Sequence, residues 1–260
     1  RWGVDYLKYD WCNTGKQNAE ASYMLMSAAL KKAGRPIVFS LCEWGSNKPW
    51  EWGAKAGHLW RTTGDIQDCW DCTARWGGMG FIRILDKQVG LEEYAGPGHW
   101  NDPDYILIGT IGNAHSISDA PKQTTLTAWE QYSYMSLWSL MASPLFYSGD
   151  MSRLDEFTLN VLCNAEVIDV NQDPLGKQAR VVRKTDDELV LLKPLEDGSV
   201  AVGLFNLGEQ SRRISASFAD LNLTGKKQVR DLWRQKDQGA VTSEIGAEIE
   251  RHGVAFYRLR

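Results

Sequence analysis

No stretch of this sequence stays apolar for the roughly 18 residues that a membrane-spanning helix needs. No long basic run stands out either. Lysine and arginine number 29 against 33 acidic residues, a net charge of −4, which makes nucleic acid a poor partner. Cysteine is scarce and odd in number, five in 260 residues, so the chain is not a disulfide scaffold. Cys69 and Cys72 form a C-x-x-C without the second pair a zinc ribbon requires, which leaves a local disulfide or two plain thiols ahead of a metal site. Histidine is rarer still. His58, His99, His115 and His252 are scattered, none in H-E-x-x-H, G-x-S-x-G or a cysteine–histidine arrangement. A glycine-rich phosphate loop is missing, which argues against an open dinucleotide-binding sheet. The chain starts on Arg1 inside an apparent strand and shows no signal peptide, a lack that carries no meaning if residues precede it. What is plentiful is tryptophan, 12 residues, a side chain suited to deep cores and to the walls of ligand clefts.

The first two thirds alternate strand-like and helix-like patterns. Residues 4–10, 37–43, 58–62, 100–108 and 144–147 read as strands. Between them, residues 18–32, 50–56, 70–88 (interrupted at Gly77, Gly78 and Gly80) and 124–142 read as helices, and 153–164 as the next one. In 124–142, Leu126, Trp129, Ser133, Leu137 and Leu140 fall at helical spacing and predict one buried stripe. Strands separated by helices imply parallel β/α units. Near Gln178 the pattern changes to short runs at 179–184, 188–192, 200–206, 213–218, 228–233 and 254–259. The expected architecture is α/β: a partial (β/α)8 barrel over 1–177, followed by an all-β antiparallel sandwich over 178–260.

Polar residues gather where the first strands end, the edge at which β/α barrels collect catalytic groups. Lys8 and Asp10 are two apart and share a strand face; the plain alternative is a structural ion pair. Arg61 precedes Asp65 by four residues, which alone is an ordinary loop salt bridge. Glu43 and Trp44 sit at a strand end, where a rim position is the simpler reading. Asp102 and Asp104 flank Pro103, as a turn would. Together they place several carboxylates, a lysine, an arginine and several tryptophans on one face. Paired carboxylates over an aromatic floor suit glycoside hydrolysis.

Six motifs occur in order: LKYDWC (7–12), SLCEWG (40–45), WRTTGDI (60–66), GPGHWNDPD (96–104), SPLFYSGD (143–150) and VNQDPLGKQ (170–178). Jointly the chain resembles the α-galactosidases of glycoside hydrolase family 27, over essentially its whole length. The resemblance implies a retaining enzyme that releases terminal α-linked galactose. Matched by motif, Asp10 corresponds to the family nucleophile and Asp65 to its general acid/base. Lys8 corresponds to a sugar-binding lysine, Arg61 to an arginine near the 2-hydroxyl and the acid/base, and Glu43 to the residue that reads the 2-hydroxyl. Trp44 would line the pocket, and Asp104 matches a supporting aspartate at its floor. Tyr105 stands where the family usually has methionine, adding bulk and a hydroxyl near the pocket. Retention implies carboxyl groups about 5–5.5 Å apart. The resemblance implies a carbohydrate substrate, no metal or organic cofactor, and a secreted or periplasmic setting.

Three departures stand out. In many relatives Cys42 pairs with a cysteine where this chain has Gly57, so that bridge is expected to be missing. Cys12 pairs in the family with a cysteine from an earlier strand. LKYD corresponds to the fourth strand of the family barrel, so strands 4–8 are expected here. The 260 residues are then a partial record of a longer protein, or else a truncated relative. Alternatives within the family are a β-L-arabinopyranosidase, an α-N-acetylgalactosaminidase and an isomaltose-releasing dextranase; outside it, a non-catalytic remnant. The C-terminal module is expected to pack on the barrel rather than to bind carbohydrate.

Overall fold

The computed structural model describes residues 2–112 and 120–260. His115 and Arg1 lie outside the described residues. The chain divides into two compact units, Arg1–Gln67 with Asp71–Asp104, and Asp68–Trp70 with Tyr105–Arg260.

The first unit holds β1 (Tyr6–Asp10), α1 (Ala19–Lys32), β2 (Val38–Cys42), α2 (Pro49–Ala56), β3 (Leu59–Arg61), α3 (Phe81–Gln88) and β4 (Trp100–Asp102). The four strands are parallel and pair in chain order. Asn18 starts α1 by accepting the Ala21 N–H at 2.8 Å, one of the donors a helix N-terminus leaves open. Gly34, at φ 71°, then takes the left-handed turn that lets the chain leave the helix. Tyr23, Phe39, Leu41, Trp52 and Trp60 are buried together between sheet and helices.

Two stretches of this unit depart from the expected pattern. Residues 70–88 do not form one interrupted helix; only Phe81–Gln88 is helical. Gly77 at φ 101° and the turn closed by Gly77 N–H on the Ala74 carbonyl (3.0 Å) occupy the stretch before it. Strand 100–108 stops at Asp102, because Pro103 offers no N–H and Asp104 turns to φ 98°.

The second unit holds β5 (Thr110–Ile111) paired with β6 (Lys122–Gln123), then α4 (Ala128–Leu140), α5 (Glu156–Leu162) and α6 (Ala165–Asn171). The run 144–147 is not a regular strand: Tyr147 makes a single parallel bridge to Ile106. The expected helix 153–164 begins at Glu156, on the Asp155 cap. Helix α4 opens on a reciprocal capping box of Thr127 and Glu130. It was expected to bury one stripe. Instead every residue from Ser133 to Leu140 is buried, and of the five stripe residues Trp129 is turned outward, at 44% exposure.

The neighbours of α4 explain this. The strands that follow are β7 (Arg180–Lys184), β8 (Glu188–Pro194), β9 (Val200–Asn206) and β10 (Arg212–Ser217). After α7 (Phe218–Leu221) come β11 (Lys227–Asp231), β12 (Lys236–Val241), β13 (Glu244–Ile249) and β14 (Val254–Leu259). On β9, Gly203 leaves room for Leu140: a Cβ there would lie 2.5 Å from its Cδ1. On another side, Asn171 of α6 donates to the Trp138 carbonyl (3.3 Å). An antiparallel six-stranded sheet, in the order β12-β11-β14-β9-β8-β7, faces the β10–β13 pair. Val190, Val202, Leu204, Ile214, Val229, Ile245 and Leu259 fill the layer between, which makes a sandwich. Strands β12 and β13 carry no run that the sequence reading recognised; β12 is an exposed, polar edge.

Lys193 on β8 is fully buried, and its Nζ meets no hydrogen-bond partner among the described residues. Burial pulls its amine down from 10.5 to about 8, with Asp173 opposing. Between those values the unfolded chain binds the extra proton, so stability rises with pH across that window. Lys193→Met is expected to raise unfolding free energy at pH 7 by about 2–3 kcal/mol. It should also flatten the rise between pH 8 and 10.5, as read by urea denaturation at a series of pH values.

Candidate active site

In parallel β/α units the residues at and beyond the strand C-termini converge on one edge of the sheet. Asp10 ends β1 and lies in register with Cys42, the end of β2. Arg61 ends β3 and lies in register with Asp102, the end of β4. Glu43 follows β2 directly. Lys8 lies opposite Ser40, on the same face of β1 as Asp10.

Asp10 is exposed, and its Oδ1 accepts the Trp11 N–H at 2.9 Å. The Cys42 thiol is buried, and Arg61 Nη1 approaches its sulfur at 4.0 Å. Burial pushes that thiol up to about 12, with Arg61 and Lys8 pulling it down. Cys42 is free, as expected; a side chain at position 57 would meet Leu41 Cδ1 at 2.4 Å and the Phe39 carbonyl at 2.7 Å. Cys12 and Cys163 are also free, and Cys69 and Cys72 are disulfide-bonded.

Glu43 is completely buried. Its Oε2 accepts two hydrogen bonds from Asn47, from the main-chain N–H (2.6 Å) and from Nδ2 (2.7 Å). Its Oε1 has no partner among the described residues. Burial raises the carboxyl above its ordinary value, and the N–H groups of Asn47, Gly45 and Ser46 oppose this. Trp44 (φ 58°) and Gly45 (φ 76°) turn left-handed here. Gly45 is obligatory in this turn, since a Cβ would lie 2.2 Å from the Thr62 carbonyl oxygen.

Arg61 is 1% exposed. Its Nη2 donates to the carbonyls of Thr63 (3.2 Å) and Gly64 (3.0 Å) and to Asp65 Oδ1 (3.1 Å). The same nitrogen lies 2.9 Å from Asp104 Oδ2. Burial works against this guanidinium, but Asp104 and Asp102 hold it well above its ordinary value. Asp104 is equally buried. Burial pushes its carboxyl up to about 6, against the pull of Arg61 and of the Ile66 N–H. That N–H donates to Oδ2 at 2.8 Å, and the Asp104 N–H donates to Asp102 Oδ1 at 2.9 Å. These bonds hold Asp104 at a φ that costs about 1–3 kcal/mol.

The strand ends of the first unit thus carry Lys8, Asp10, Glu43, Trp44, Arg61, Asp65 and Asp104. Tyr105 opens the second unit, 37% exposed, its carbonyl accepting from the Tyr134 hydroxyl at 2.5 Å. Sequence reasoning missed Asn47 and the Cys42 thiol. Asn47 lies one turn beyond Glu43, and only that short spacing could have suggested the contact. Asn47→Ala is expected to lower unfolding free energy by about 2 kcal/mol, measured by urea denaturation, because a buried carboxylate loses a charge-assisted donor. Chemically, the arrangement offers one exposed carboxylate at a strand end and a second, 43% exposed, held by a buried guanidinium. That division of labour suits a nucleophile and a proton carrier.

Residues 1–173 match the family model described as alpha galactosidase A, and residues 185–259 match that of the alpha galactosidase C-terminal beta sandwich domain. The chain is 39% identical to alpha-galactosidase A of Cellvibrio japonicus, over 99% of its own length and 64% of that protein's. Among solved structures, α-galactosidase I of Mortierella vinacea superposes with a TM-score of 0.86 at 28% identity, covering 99% of this chain and 68% of that one. The GH27 β-L-arabinopyranosidase of Geobacillus stearothermophilus superposes with a TM-score of 0.87 at 29% identity, covering 99% and 58%. The chain therefore spans less than two thirds of the length of the curated relative it matches.

Proposed function

The chain belongs to the melibiase family of α-galactosidases, glycoside hydrolase family 27, and on that premise we propose that it serves to hydrolyse terminal α-linked galactosides with retention of configuration. The observation that carries this reading is one cluster. Asp10, Glu43, Arg61 and Asp104 stand at or just past the ends of four adjacent parallel strands, and Arg61 binds both Asp65 and Asp104. We read 1–177 as the C-terminal portion of a (β/α)8 barrel and 178–260 as the sandwich.

In the first half-reaction the Asp10 carboxylate attacks C1 from the face opposite the leaving group, and Asp65 gives its proton to the departing glycosidic oxygen. The product is a β-galactosyl ester on Asp10. In the second, the Asp65 carboxylate takes a proton from water, the water oxygen bonds C1 from the α face, and Asp10 leaves as carboxylate. Lys8 provides positive charge on the same strand face as Asp10. Glu43 is read from its motif as the reader of the sugar 2-hydroxyl; its Oε1 is buried and has no hydrogen-bond partner among the described residues. Trp44 offers an apolar wall for sugar C–H groups. Arg61 steadies Asp65, and Asp104 steadies Arg61. Tyr105, where the family usually has methionine, is read as tuning sugar preference.

A β-L-arabinopyranosidase is the second reading, supported by the superposition on such an enzyme. Arabinopyranose is galactose without its hydroxymethyl group. Glu43 speaks against an N-acetylgalactosamine substrate, whose acetamido group needs a small residue there. The whole encoded protein is incubated with nitrophenyl α-galactoside and nitrophenyl β-L-arabinopyranoside while proton NMR follows the released sugar. Galactose released first as its α-anomer is expected. First release of the β-anomer, or faster cleavage of the arabinopyranoside, overturns the assignment.

A further inference from the structure

A cavity of about 620 Å³ lies in the first unit, at the opposite end of the strands from Asp10, Glu43 and Arg61. Its walls come from the last turns of α1 and α2 and from residues 35–39, which lead into β2. His58 and His99, which stand just before β3 and β4, complete them. The volume falls within the roughly 300–1,000 Å³ of small-molecule sites. We propose that this cavity binds an organic anion with an apolar body, an aromatic carboxylate, held by Lys31, Lys55 and His58. No residue of the strand-end cluster takes part.

The chain as a whole carries −4, yet the side chains around this cavity sum the other way. Lys31, Arg35 and Lys55 line it with one carboxylate, Asp5, which Arg35 binds. Lys31 and Lys55 are exposed, and neither makes an ion pair among the described residues. Both stand in the last turn of a helix, where partial negative charge gathers on the open carbonyls. Offsetting that charge is the ordinary use of a lysine there, but it does not account for two. Each helix end carries about half a charge at most. The two ends together offset one lysine, and the Asp5–Arg35 pair cancels itself. About one positive charge is left over in a concave space, where the field concentrates. It matches a carboxylate monoanion better than a phosphate dianion.

His58 adds a directed donor. Its Nδ1 accepts the Phe39 N–H at 3.0 Å, and its own main-chain N–H donates to the Phe39 carbonyl at 2.9 Å. An imidazole whose Nδ1 accepts carries its proton on Nε2. That second N–H is the one left for a ligand, since His58 is exposed on the cavity wall. The loop bearing Arg35 is held as well. Gly34 turns left-handed at φ 71° and Pro36 fixes its own φ, so Arg35 sits between two restrained residues. The groups are thus in place before a ligand arrives. Leu30, Ile37, Phe39 and Ala56 supply apolar wall. An inorganic anion would use only the charge, and a neutral apolar molecule only the wall. A ring bearing a carboxylate uses both.

The test measures binding in the whole encoded protein. Calorimetry compares phenylpropionate with its neutral amide, with phenyl phosphate and with inorganic sulfate. The carboxylate is expected to bind one-to-one, at least tenfold more tightly than the amide or sulfate. Lys31→Gln and Lys55→Gln combined should weaken it at least tenfold. Ala54→Trp, which fills the cavity from an exposed helix position, should abolish it. Circular dichroism of the ligand-free variants should match the wild type. A phenylpropionate bearing a diazirine then locates the site by photo-crosslinking and mass spectrometry, with label expected within residues 27–39 or 54–58. Label confined to 43–47 or 61–66 places the anion at the other end of the strands and overturns the proposal. So does an amide that binds within twofold of the carboxylate, a double glutamine variant unchanged within twofold, or the absence of saturable binding. Tighter binding of phenyl phosphate overturns the choice of a carboxylate.

Discussion

Asp10→Asn lowers kcat/KM for a nitrophenyl α-galactoside by on the order of 10⁴-fold, because the amide cannot form the ester with C1. The fold should survive. Asp10 is exposed, and its bond from the Trp11 N–H needs only an oxygen, which asparagine keeps. Circular dichroism and the melting temperature are therefore expected to match the wild type. A sharper version uses Asp10→Gly with sodium azide. Azide then enters from the face that Asp10 occupied and gives β-galactosyl azide, detectable by mass spectrometry and NMR. Substantial residual hydrolysis by Asp10→Asn, or an α-configured azide, would remove Asp10 from the nucleophile's role.

The second large effect concerns Arg61. Its guanidinium faces Asp104 and Asp65, and Asp102 adds to the field that keeps it charged. Arg61→Met leaves a buried carboxylate without its cation, a change expected to lower unfolding free energy by about 3–5 kcal/mol. It also carries a pH signature. Burial already pushes Asp104 up to about 6, and removing the guanidinium drives it higher. A carboxyl whose folded value exceeds its unfolded value takes up its proton first in the folded state. Stability is then gained as pH falls through that folded value. The deficit of Arg61→Met relative to wild type should accordingly be larger at pH 7.5 than at pH 5 in urea titrations. A deficit constant across that range would mean lost packing rather than a stranded charge. Arg61→Lys should recover part of the stability but little of the activity, since one ammonium cannot span the Thr63, Gly64 and Asp65 oxygens.

Much of this arrangement could be read from residues alone, and the reasons are local. The helix of residues 18–32 and the runs around Phe39 and Trp60 announce themselves within a few residues. So does the placing of Asp10 and Glu43 at strand ends. What failed depended on single backbone angles or on partners distant in sequence. The turn at Asp104 ends β4 early, and a left-handed aspartate has no pattern. Helix α4 carries serines and a glutamine where a surface would be expected, yet Gly203 and Asn171 lie much further along the chain and bury it. The Arg61–Asp104 pair joins two residues that each look like turn or loop charges. Their mutual burial depends on β3 and β4 being neighbours, which only the sheet order reveals.

Gly45 has a consequence for redesign. Its main chain lies so close to the Thr62 carbonyl that no side chain fits between them. The segment carrying Glu43 and Trp44 is thereby clamped, backbone to backbone, to the exit of the strand that leads to Asp65. The residues proposed as hydroxyl reader and proton donor are tied to one close backbone approach. A combinatorial library that varies positions 43, 46 and 47 while keeping glycine at 45 explores new sugar readers on one undistorted frame. A library that also randomises 45 spends most of its members on frames that no longer close.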